Sequence, residues 1–238
     1  MEYLRFYIRK LLRKTGIINN QRPPSIEEWE KEVKIAVKKP VKTLMPYIND
    51  GAVFIDVGAN VGSFTEAVIG VRKNITAHIF EPVPQYYSWL TNKFSNNPNI
   101  VINGVALSEK EGQFSIWTDN INLGWNTMIS EKISDTMQEI VIKTIVFDDY
   151  ARLHNITRID AIKIDVEGAE FKVLKGMKDT LMRLAKKPVI ICEIGWGKDS
   201  HPNWDEEVEI FEWLFNNGYK RFDYNSIIKT TDVLFIPN

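Results

Sequence analysis

The stretch VFIDVGANVGSFT, residues 53–65, constrains the fold more than any other part of the chain. Val53, Phe54 and Ile55 have the β-branched and aromatic chemistry of a buried strand. Asp56, Gly58, Asn60 and Gly62 then fall on alternate positions before a helical pattern begins. Glycine lets the backbone turn tightly and lets a ligand approach it, while the following helix start presents unpaired N–H groups. A strand-to-helix turn of purely structural use has the same appearance, so the rest of the chain must decide.

From residue 53 onward strand and helix patterns alternate, which predicts a doubly wound α/β sheet. Strands are expected over 53–58, 75–81, 99–105, 160–166 and 188–194, and helices over 61–70, 84–95, 169–184 and 205–217. Residues 112–146 break the rhythm and read as a β-rich insertion beside the main sheet. The tail from Tyr219 offers two more strands as an antiparallel edge pair. Ahead of the sheet, Leu4, Ile8, Leu11 and Leu12 oppose Arg5, Arg9, Lys10, Arg13 and Lys14 on a basic amphipathic helix over residues 1–14. Docking on the domain or on a second subunit, as in a homo-oligomer, is favoured over contact with a membrane surface. Pro23-Pro24 marks a linker, and Ser25 with Glu28 predicts the capped start of a helix over 26–38. The expected organisation is a helical extension over 1–46 and a domain over 47–238.

Lys and Arg number 30 against 31 Asp and Glu, so no overall charge pulls the chain toward nucleic acid. The lone Cys192 excludes an internal disulfide and sits in an apolar strand pattern, which fits a reducing, cytoplasmic setting. No apolar run approaches the roughly 20 residues that cross a bilayer, and the N-terminus lacks the apolar core and cleavage site of a secretory signal.

In an open parallel sheet ligands sit beyond the carboxyl ends of the strands. Four expected strands end in acidic residues, namely Asp56, Glu81, Asp165 with Glu167, and Glu193. Glu81 ends the strand after the glycine turn, where a carboxylate can accept both hydrogen bonds of a ribose diol. The spacing Gly58-x-x-x-Gly62 departs from the dinucleotide G-x-G-x-x-G, and no phosphate-binding Gly-Lys-Ser/Thr follows. A carboxylate before the first glycine suits a cofactor with a ribose, an adenine and an ammonium-bearing amino-acid end. S-adenosylmethionine fits that description.

The segments FIDVGANVGSFT, IFEPVP, VALSEKEGQFSIW, IKIDVEGAEFKVLKGM and VIICEI, in this order across residues 53–194, resemble the FkbM family of S-adenosylmethionine-dependent methyltransferases. The closing DVLFIP is similar to the family's last strand, and the first 46 residues lie outside the match. The resemblance implies the class I methyltransferase fold, Rossmann-like with a seven-stranded sheet, and O-methylation of a sugar, glycan or secondary-metabolite hydroxyl. It further implies that Asp56, Gly58, Asn60 and Gly62 surround the methionine part of the cofactor, that Glu81 holds the ribose, and that the adenine lies near Val105, Ala106 and Leu107. Asp165 would stand close to both the methyl group and the acceptor.

Methyl transfer is a direct displacement, so alignment supplies most of the acceleration and a base removes the hydroxyl proton. Asp165, Glu167 and His201 are the chosen catalytic residues, with Glu193 a further candidate base. His78 and His154 read as structural. Trp196 and Trp204 flank His201 and could stack on a sugar ring. A plain base is preferred, so no metal is expected; the alternative is a divalent ion held by Asp165, Glu167, Glu193 and His201. Glu167 has its own alternative, which is to cap the next helix or pair with Lys163. A different class of function, a cofactor-binding partner protein without turnover, is disfavoured by the intact acidic strand ends. Nucleic-acid methylation is weaker still, since no motif for a flipped base is present.

Overall fold

The computed structural model describes residues 24–119, 126–127, 137–195 and 197–238. The expected helix over 1–14 and Trp196 lie outside the described residues. The described chain enters through α1 (Ile26–Ala36), whose start is closed reciprocally: Ser25 Oγ accepts from Glu28 N, and Glu28 Oε2 accepts from Ser25 N. Two N–H groups that the helix itself cannot satisfy are thereby paired. A short α2 (Lys38–Leu44) follows.

The strand–helix alternation then runs β1 (Val53–Val57), α3 (Ser63–Val71), β2 (Thr76–Phe80), α4 (Pro84–Lys93) and β3 (Ile100–Asn103). The departure follows, with β4 (Ala106–Leu107), β5 (Gly112–Asp119), β6 (Asn126–Thr127) and β7 (Met137–Ile145) forming a separate four-stranded sheet in the order β4-β7-β5-β6. The chain returns through α5 (Phe147–Leu153), β8 (Ala161–Ile164), α6 (Glu170–Lys175), α7 (Lys178–Arg183), β9 (Val189–Ile194), α8 (Trp204–Asn216) and β10 (Thr231–Phe235). The main sheet has the order β10-β9-β8-β1-β2-β3, parallel except for the antiparallel β9–β10 pair.

Side-chain alternation along β1 sends Phe54 and Ile55 to opposite faces, and each joins a different apolar layer. Ile55 and Val57 pack with Ile162, Ile164, Leu174 and Phe211, whereas Phe54 packs with Val41, Leu44, Phe64 and Leu90. The middle of the sheet is therefore covered on both faces, as a parallel sheet requires. Strand order reverses between β1 and β8, and the loops there diverge to opposite sides. A crevice opens at that point.

The structure departs from the sequence expectation in two elements. The helix expected over 169–184 is split at Gly176 and Met177, and the chain passes so near Ser108 there that a Cβ on Gly176 would stand 2.3 Å from its carbonyl oxygen. Asp148 then starts α7 by accepting from Asp179 N and Thr180 N at 3.1 and 2.7 Å. In the tail, β10 forms, but the other strand of the expected pair is reduced to a bridge between Tyr219 and Pro237. Among the described residues the main sheet thus has six full strands, with that bridge beside them. Asp223 bends the intervening chain by accepting from Asn225 N, opening a 3-10 turn over Tyr224–Ser226.

Candidate functional site

A cleft of about 890 Å³ lies at the carboxyl ends of β1, β2 and β8. Gly58 and Asn60 line it after β1, Glu81 and Val83 after β2, and Asp165, Val166 and Glu167 after β8. Ala106, Leu107 and Ser108 form one wall, joined by Ile116, Ile142 and Thr144 from the second sheet and by Ala169 and Lys172 from the start of α6. One end is polar and acidic. The other is an apolar slot.

The glycine turn is shaped by close backbone contact. Gly58 has φ 73°, and a Cβ there would stand 1.8 Å from the Asp165 carbonyl oxygen. Substitution would therefore strike the β1–β8 junction itself as well as any ligand. Asn60, at φ 52°, is held from outside: its Oδ1 accepts from Trp29 Nε1 of α1 and from Val61 N, both at 2.8 Å. Gly62 does not line the cleft. A Cβ there would meet Leu90 at 2.6 Å and Phe94 at 2.8 Å, so this glycine lets α3 start against α4.

Glu81 is 4% exposed, with Oε2 accepting from Asn60 N at 2.7 Å and Oε1 from Val83 N at 2.9 Å. Burial pushes its pKa up to about 7, against the Val83 and Asn60 N–H groups, which favour the carboxylate. Each oxygen retains acceptor capacity for a further hydroxyl.

Beneath the turn, Asp56 is fully buried and does not line the cleft. Its Oδ2 accepts from Thr65 Oγ1 at 2.6 Å, and its Oδ1 lies 3.4 Å from Lys163 Nζ. Lys163 donates to the carbonyls of Val57 and Gly58 at 3.2 and 2.5 Å and reaches to within 3.7 Å of Asp165 Oδ2. Burial opposes the Lys163 charge, but Asp56, Asp165 and Glu81 outweigh it and hold the pKa above the ordinary lysine value. A buried cation thus locks the glycine turn to the β8 end. Lys163 figured in the sequence reading only as a pairing partner; a lone lysine inside the apolar strand pattern AIKI was the available signal.

Asp165, Glu167 and Glu193 each bring a carboxylate oxygen within 4.8 Å of the others. His201 does not join them. Its imidazole is fully buried, lying instead with Glu170 and Glu207, so the histidine expected to serve as a catalytic base is an interior residue. Glu167 has φ 56°, so the extended backbone of β8 does not continue through it. Capping of this loop falls to Glu170, which accepts from Val166 N and Gly168 N. Trp204 packs its ring against His201 and Phe211. His78 is buried against the Tyr150 hydroxyl, with His154 beside it, consistent with structural roles. Cys192 is a buried free thiol whose pKa burial raises.

A family model described as the methyltransferase FkbM domain matches residues 56–221, the span that carries the cleft and most of the sheet beneath it. The chain belongs to the FkbM methyltransferase family. It is accordingly an S-adenosylmethionine-dependent methyltransferase. Among its relatives is the hexuronic acid methyltransferase AglP of Haloferax volcanii, 29% identical over 177 residues, covering 74% of this chain and 70% of that protein. Another is the 31-O-demethyl-FK506 methyltransferase FkbM of Streptomyces tacrolimicus, 26% identical over 160 residues, covering 56% of this chain and 62% of the relative. A solved structure of a putative rRNA methylase from Clostridium thermocellum matches with a TM-score of 0.50 at 8% identity, over 84% of this chain and 94% of that one. That likeness shows the fold alone.

The residues present fit the family's cofactor. Glu81 offers a bidentate acceptor to a ribose, and the slot between Phe80, Leu107, Ile116 and Ile142 suits the flat face of a purine. Among the described residues no helix is long and apolar enough to cross a membrane.

Proposed function

We propose that this FkbM-family enzyme transfers the methyl group to a hydroxyl of a sugar-bearing acceptor, with a hexuronic acid or a related acidic sugar as the first class to test. The reading is supported by the names of its relatives, a hexuronic acid methyltransferase and a 31-O-demethyl-FK506 methyltransferase. The observation that carries it is the position of Asp165, which lines the cleft with its side chain 37% exposed and with the carboxylates of Glu167 and Glu193 beside it.

S-adenosylmethionine, when bound, supplies an electrophilic methyl carbon on a sulfonium. Gly58 and Asn60 would border its amino-acid end, Glu81 would accept from the ribose hydroxyls, and Ala106 and Leu107 would flank the adenine. Asp56 and Gly62 act one layer below, Asp56 through Lys163 and Gly62 through the packing of α3. Asp165 would serve as the base that takes the proton the acceptor hydroxyl loses on methylation. Glu167 and Glu193 raise the negative potential that favours this proton transfer. Lys172, whose ammonium lies 5.9 Å from the Phe114 ring centre and 5.6 Å from that of Phe171, puts a positive charge on the cleft wall that suits an anionic sugar. Residues 47–238 form the catalytic domain in this proposal and 1–46 a helical extension. The setting is the reducing cytoplasm expected from the sequence.

The test is incubation with methyl-labelled S-adenosylmethionine and a panel of uronic acids, uronic-acid-bearing glycans and neutral sugars. Label on an acidic sugar is the expected result. Tight cofactor binding without transfer to any member would favour the non-catalytic partner protein instead.

A further inference from the structure

Behind the cleft, on the far side of the loop that carries Asp165, three titratable side chains meet in the interior: Glu170 of α6, Glu207 of α8 and His201 between β9 and α8. They are 1%, 0% and 5% exposed, and each contributes an atom to a group within 4.8 Å of one another. Glu170 Oε1 accepts from Val166 N at 3.0 Å and from Gly168 N at 3.1 Å. It thereby fixes a loop in which Glu167 and Gly168 are both left-handed, at φ 56° and 98°. Such a conformation is unfavourable at a non-glycine residue and persists only where its surroundings impose it. Glu207 Oε1 in turn accepts from Phe171 N at 3.1 Å, tying α8 to the start of α6. Their remaining oxygens, Glu170 Oε2 and Glu207 Oε2, are buried and have no hydrogen-bond partner among the described residues.

Two ionised carboxylates cannot share so dry a space without a compensating cation or a proton. The imidazole decides between them. Asn203 N donates to His201 Nδ1 at 3.1 Å, so the neutral ring carries its proton on Nε2, the atom 3.9 Å from Glu207 Oε1. That N–H leaves no lone pair there for a metal ion. We propose that the buried Glu170–Glu207 pair retains one proton between the two side chains, and that this shared proton keeps the Asp165–Gly168 loop in the shape that methyl transfer requires. The inference rests on the catalytic reading of Asp165 and makes Glu170 and Glu207 positioning residues.

The surrounding charges agree. Burial, followed by repulsion from Glu170 and Glu206 and set against attraction from Lys175, raises the Glu207 pKa. Burial and the Asp165 charge raise that of Glu170. Cys192, on β9, is held as a neutral thiol by burial and by the same carboxylates, with Asp165 and Glu193 adding to them. When the shared proton leaves, the two carboxylates repel and Glu170 releases Val166 N and Gly168 N.

Glu207→Gln imitates the protonated side chain, and Glu207→Ala removes it. Melting temperatures of wild type and Glu207→Gln, measured from about pH 5 to about pH 10, need no acceptor. A raised folded-state pKa means that wild type loses stability relative to the variant as pH rises above the ordinary carboxylate range. The Gln variant should therefore gain on wild type with increasing pH; a constant difference overturns the shared proton. With an acceptor in hand, Glu207→Ala should lower kcat about tenfold with little change in the KM for S-adenosylmethionine. Glu207→Gln should restore most of that kcat and lack the alkaline fall expected of wild type. An alkaline fall that persists unchanged in Glu207→Gln overturns the positioning role even if the melting result holds. A stoichiometric divalent metal in the purified protein, lost in Glu207→Gln, replaces the proton by a cation.

Discussion

At the scale of single residues, burial decides which acidic side chain does what. Glu81 is raised to about 7 by desolvation, so near neutrality it is poised between carboxyl and carboxylate. The ribose hydroxyls favour the carboxylate, and affinity for S-adenosylhomocysteine should rise as pH increases from about 6 to about 8. Glu81→Gln should bind roughly tenfold or more weakly and show no such rise, as titration calorimetry can measure. The same slope in wild type and variant would remove Glu81 from the ribose. In the absence of ligand the sign for stability is opposite: a raised pKa costs the folded state as pH climbs from the ordinary glutamate value toward 7. Acidic strand ends are legible in a sequence because strand boundaries are, and Glu81 and Asp165 reach the cleft as expected. The direction of a side chain is less legible. Asp56 still belongs to β1 and follows the strand's alternation into the interior, where Lys163 meets it. His201 sits in a loop bearing Gly, Trp and Pro, a pattern that does not report burial, yet its ring is buried beside Glu207 of α8.

Between elements, the N-terminal helix bears on the cofactor turn. Ile26, Trp29 and Val33 of α1 pack against Val61, Val83 and Tyr86, and Trp29 Nε1 fixes the side chain of Asn60. Lys93 of α4 adds a charged tie, 2.5 Å from Glu30 and 2.6 Å from Glu66 of α3. Trp29→Phe keeps most of the packing and removes the one donor, worth about 1 kcal/mol for a typical hydrogen bond. Cofactor affinity should fall about fivefold with the fold intact; unchanged affinity would show that α1 only packs. Periodicity predicted α1 and its cap, but nothing in the 3.6-residue pattern says which loop the indole will find. Element type was legible for every strand of the parallel core and for the β-rich insertion, because β-branched runs bounded by turn residues are local signals. The split of the helix at Gly176 was not, since it lies where Ser108, distant in sequence, passes close to the backbone.

For the whole molecule, the reversal of strand order between β8 and β1 sets the cleft, Lys163 joins the two strand ends across it, and the second sheet closes the apolar side. The family relationship gives methyl transfer; the chemistry of the acceptor atom rests on the carboxylates. A hydroxyl acceptor must give up a proton, which Asp165 receives in the proposed function, whereas an acceptor carboxylate is already deprotonated and needs no base. The two acceptors yield different bonds, a methyl ether or a methyl ester. The most direct measurement is therefore the fate of the label on a methylated uronic-acid acceptor under mild alkali, made with chelator-treated wild type and Asp165→Asn. Hydroxyl transfer with Asp165 as the base predicts label that survives alkali as an ether, activity undiminished by chelation, and turnover roughly a hundredfold lower in Asp165→Asn. Label released as methanol, at rates equal in wild type and Asp165→Asn, would contradict it.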